Sequence, residues 1–80
     1  MNKISEIILG MSDEILAQAV EESLAWQRTG ILSGTIIRDT AKAISEVMQS
    51  SYDVSFTENL IIEEAAARFA NIIHKKSLEI

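Results

Sequence analysis

Between Phe56 and His74 the chain repeats apolar residues at helical spacing on more than one side. Ile62, Ala66, Phe69 and Ile73 recur at intervals of four, three and four residues, which stacks them along one side of a helix of 3.6 residues per turn as a core stripe. A second row, Ile61, Ala65 and Ile72, lies roughly 80–100° round the same cylinder, so the two rows together cover about half of its circumference. One neighbouring helix cannot cover that much. Ala65-Ala66-Ala67, with Ala70 one turn beyond Ala66, adds high helix propensity and lets another backbone approach closely. Two arrangements are open: both rows face other helices of the same chain, or one row is the seam of an oligomer.

The start of this helix is expected at Ser55-Phe56-Thr57-Glu58, which has the Ser-x-x-Glu spacing of a capping box. Upstream, Ile4, Ile7 and Ile8 have helical spacing until Gly10 interrupts, which predicts a short separate helix. Ser12-Asp13-Glu14 supplies a cap and two acids for a first turn. The helix it opens runs over 13–29, with Ile15, Leu16, Ala19, Val20, Leu24 and Trp26 as its apolar positions and Glu14, Gln18, Glu21 and Glu22 opposite. Arg28 in the last turn and Gly30 beyond it stop it. Ile31-Leu32 is too apolar for a free loop and is expected to plug one end of the core.

Ser33-Gly34-Thr35 offers cap candidates for a further helix over about 35–50, whose stripe is Ile37, Ala41, Ile44 and Met48. The short connection favours antiparallel packing of the two helices. Ser50-Ser51-Tyr52-Asp53 forms the next loop. Lys75 and Lys76 suit a helix C-terminus, and Leu78 and Ile80 can dock beyond it. The fold class is therefore all-α: one domain over 1–80, a small bundle of three main helices with a short fourth at the N-terminus.

Eighty residues give a core worth only a few kcal/mol of net stability unless something staples it. With no Cys and one His, neither a disulfide framework nor a thiolate or His-cluster metal site can form within the chain. Oligomerisation is the device left, which predicts a homodimer. A content of 48% hydrophobic and 24% charged residues places the chain among those that fold. No apolar run reaches the roughly 18–20 residues of a membrane span, and no secretory leader pattern opens the chain, so a cytoplasmic location is expected.

Little in the chain suggests chemistry. Neither a catalytic nor a metal role is assigned to His74, which carries Asn71 where a Glu-x-x-His motif would carry Glu. The pairs Glu21-Glu22 and Glu63-Glu64 point about 100° apart on a helix and read as solvated faces. None of Gly10, Gly30 and Gly34 lies in a phosphate-binding loop, and no cofactor is implied. An enzyme is not expected.

A net charge of −5 argues against general nucleic-acid binding. Five acids (Glu6, Asp13, Glu14, Glu21, Glu22) against Lys3 alone precede Trp26 and suit a basic protein partner.

These features point to a protein–protein interaction module acting as a homodimer, of the kind found among small bacterial or phage accessory, regulatory or inhibitor proteins. Its expected interface residues are Trp26 and Arg28, a pairing enriched at binding hot spots, with Ile61, Ala65, Ala66, Phe69, Ile72 and Ile73 on the last helix. Glu14, Glu21 and Glu22 form the acidic partner-binding face. The alternative is a helix-turn-helix-like regulator that reads nucleic acid with the 35–50 helix through Arg38 and Lys42.

Overall fold

The computed structural model describes residues 2–78. These form four helices, α1 (Lys3–Leu9), α2 (Asp13–Thr29), α3 (Ile36–Met48) and α4 (Val54–Leu78), and no strand occurs among the described residues. The short N-terminal helix and three longer ones follow the sequence pattern. Ile80, considered above as a docking residue, lies outside the described residues.

Each boundary has an identifiable cause. Asn2 and Ser12 sit in extended backbone, where a side-chain oxygen faces the open turn, and they accept from the N–H groups of Ser5 and Ile15. Gly30 closes α2 at φ 76°, donating its N–H to the Trp26 carbonyl. Gln49 adopts the same left-handed conformation after α3 without being glycine, at φ 53°.

The expected capping box is absent. Asp53 caps α4 instead, its Oδ1 accepting from the Phe56 N–H at 2.7 Å, while Ser55 lies inside the helix and Glu58 turns to α2. Starting at Val54 sets Val54, Thr57, Ile61 and Ala65 at i, i+3, i+7 and i+11 on one side, and that side meets the core.

The core takes a residue from every part of the chain: Ile8 from α1, Leu16 and Ala19 from α2, Leu32 from the connection, Ile37 and Ile44 from α3 and Ile61 from α4. Helices α3 and α4 each pack on all the others, while α1 and α2 flank them without packing on each other. Of the expected plug, Leu32 is buried and Ile31 is exposed. On α2 the inward face is rotated from the expected one: Ser23 is fully buried, whereas Ile15 and Leu24 look outward. Ser23 is tolerated inside because its hydroxyl donates to Glu58 Oε2 and accepts from Gln27 Nε2.

Two long-range polar contacts complete the frame. Thr35, at the N-cap of α3, has ψ −16° and makes no side-chain cap, so the Glu22 carboxylate accepts the N–H groups of Ile36 and Ile37 at 3.0 and 3.1 Å. Arg68 ties α4 to Glu64 one turn back and to Asp13 at the start of α2, and donates to the Leu9 carbonyl closing α1. The hydrogen bonds that the guanidinium donates to Glu64, first, and to Asp13, second, raise its pKa above the ordinary value. The guanidinium therefore stays charged throughout the neutral range.

Candidate docking surface on the last helix

Helix α4 has 25 residues, about 37 Å at 1.5 Å per residue, and the body covers only its first part. Ile61 is fully buried and Ala65 and Arg68 are half-covered, but every residue from Phe69 to Leu78 is exposed. Phe69 is 65% exposed, Ile72 52%, Ile73 46% and Leu78 73%. An isolated helix this short is marginal in water, and this one carries four large apolar side chains into it.

The same face continues back along the body. Ile62 and Ala66, the first two members of the four-residue row, are also exposed, so the row read from sequence as a core stripe is the uncovered one. The row that enters the core is Ile61 and Ala65, and it runs off the end of the bundle before Ile72. Where α4 leaves α2, Leu16, Ala17, Ala65, Phe69 and Ile72 line an open apolar groove with Asp13 and Arg68 at its edge.

The expected interface residues thus separate into groups. Ala66, Phe69, Ile72 and Ile73 are exposed on α4, and Ala65 is half-covered, packed against the core at the edge of the groove. Ile61 does not belong with them: it has no exposed surface and is a core residue. Trp26 packs half-buried against the core beside Gln27, Ser55 and Glu58, away from this face, and Arg28 is exposed on α2.

Of the three acids expected on one face, Glu22 turns to cap α3, and Glu14 and Glu21 are exposed. Nor is Glu63-Glu64 a simple solvated pair, since Glu64 holds Arg68 at 2.7 Å.

On α3 the candidate readers of nucleic acid differ. Arg38 donates to the Leu32 carbonyl and braces the connection, while Lys42 is exposed between Asp39 and Glu46. His74 is exposed on the overhang. Among the described residues no three His, Asp or Glu side chains gather as metal ligands, and no helix is long and apolar enough to cross a membrane.

No family model, curated protein or solved structure matches this chain. The reading of function rests on the surface itself. The capping role of Glu22 and the Arg68–Asp13 pair give no local signal, because the partners lie 14 and 55 residues apart in sequence.

Proposed function

We propose that this chain is a non-catalytic protein-interaction module, an accessory or regulatory protein that works as a homodimer through the uncovered face of α4. The observation that carries the reading is the overhang: ten consecutive exposed helical residues, with Phe69, Ile72, Ile73 and Leu78 among them, beyond the part of α4 that the core covers.

Area supports it. A compact monomer of 8.9 kDa exposes about 4,800 Å² by the usual scaling of surface with mass. This chain exposes 5626 Å². The excess, about 800 Å², equals what each partner buries in a standard-sized protein interface. The radius of gyration, 13.8 Å against about 11.6 Å for a compact domain of this length, reflects the same protrusion.

Sedimentation equilibrium tests the reading. The wild-type chain sediments at twice 8.9 kDa, and Ala66→Glu, which puts a charge in the middle of the uncovered row, sediments at 8.9 kDa with unchanged helix content. A wild-type chain that stays at 8.9 kDa at every concentration removes the homodimer from the proposal.

A further inference from the structure

We infer that the second copy docks with its α4 antiparallel to the first, Ile62 of each copy facing Ile73 of the other and Ala66 facing Phe69. This rests on the homodimer reading above and adds its geometry. Ile62, Ala66, Phe69, Ile73 and Lys76 follow the alternating four-three spacing of a two-helix seam, and all five are exposed. The antiparallel register sets the small Ala66 against the large Phe69, twice by symmetry, and places an isoleucine pair on either side. Beside the seam Ala65 meets Ile72, again small against large. A parallel, in-register pair sets alanine against alanine, phenylalanine against phenylalanine and Lys76 against Lys76.

Charge selects the same orientation. The first half of α4 carries Glu58, Glu63 and Glu64, and its last turn carries Lys75 and Lys76. Antiparallel pairing lays the basic end of each helix along the acidic half of the other, with Lys76 next to Asn59, and opposes the two helix dipoles favourably. It also explains the overhang. Residues 70–78 of one copy lie alongside the part of the partner's helix that carries the partner's body. The surface that each chain leaves bare is then covered by the other.

The chain contains no cysteine, so engineered thiols report this arrangement without background. A disulfide needs Cα atoms within about 7 Å. In the inferred register, Ile62→Cys mixed with Ile73→Cys gives a cross-linked heterodimer on mild oxidation, and neither variant cross-links to itself, because like positions are then eleven residues, about 16 Å, apart along the axis.

The pair Glu63→Cys and Ala70→Cys flanks the seam and gives the same result without altering the four facing positions. Self-cross-linking of the single variants means a parallel pair; it overturns the orientation and leaves the homodimer standing. A wild-type dimer in which neither mixture cross-links places the contact elsewhere and overturns the seam. A wild-type chain that sediments at 8.9 kDa overturns the homodimer reading itself.

Discussion

Ile61→Ala lowers the free energy of unfolding by about 3–4 kcal/mol, while Ile62→Ala, one residue along, lowers it by less than about 1 kcal/mol. Both are measured by urea unfolding in the Ala66→Glu background, so that self-association does not contribute. The contrast follows from where the two side chains point. Ile61 has no exposed surface and joins Ile8, Leu16, Ile37 and Ile44, so truncation leaves a cavity that four helices must close around. Ile62 is 36% exposed and does not belong to the buried core cluster. For 80 residues the total stability is on the order of 4–12 kcal/mol, so the first substitution removes about a quarter or more of it. With a urea dependence of about 1 kcal/mol per molar, the midpoint falls by roughly 3 M. Equal costs at the two positions would mean that both faces of α4 are packed by the chain itself, and the docking surface would disappear with that result.

That contrast also shows how far the sequence could be read. Periodicity identifies α4 and its two apolar rows, because side-chain spacing on a helix depends only on local geometry. It does not say which row meets the body. That choice depends on how the helix enters, and Asp53 rather than Ser55 makes the cap, so that Val54 and Thr57 point inward with Ile61. Boundaries set by local hydrogen bonds, such as Ser12 capping α2 and Gly30 ending it, are legible from neighbouring residues alone.

Contacts between distant residues are not. Ser23 looks like a surface residue in the sequence and is buried, because Glu58, 35 positions later, accepts a hydrogen bond from its hydroxyl. Glu22 looks like part of an acidic face for the same reason. A carboxylate beside another carboxylate on a helix gives no sign that one of them closes a different helix. Of the α4 residues proposed for docking, Ala66, Phe69, Ile72 and Ile73 are exposed, whereas Ile61 is buried and Ala65 half-covered, because one apolar row is split between core and overhang.

Glu22→Ala destabilises the fold by about 2–3 kcal/mol, and Gly34→Ala does nearly the same by another route. The Glu22 carboxylate accepts two N–H groups at the start of α3 and places a negative charge at the positive end of that helix. Thr35 cannot replace it, since its backbone is already helical and its hydroxyl makes no cap. Removing the carboxylate leaves the N–H of Ile37, a fully buried residue, without its acceptor. Gly34 matters because the carboxylate passes over it: a β-carbon there would run into the Glu22 side chain and push it off both N–H groups. Gly34 has no left-handed backbone to protect, so lost capping is the whole cost of the substitution. The two substitutions therefore act on one contact and must not add. In a double-mutant cycle followed by urea unfolding, Gly34→Ala costs about 2 kcal/mol in the wild-type chain and close to nothing once Glu22 is alanine, a coupling within the range of residues in direct contact. Additive costs would mean that the glycine is needed for something other than the passage of this carboxylate, and that α3 finds its cap elsewhere.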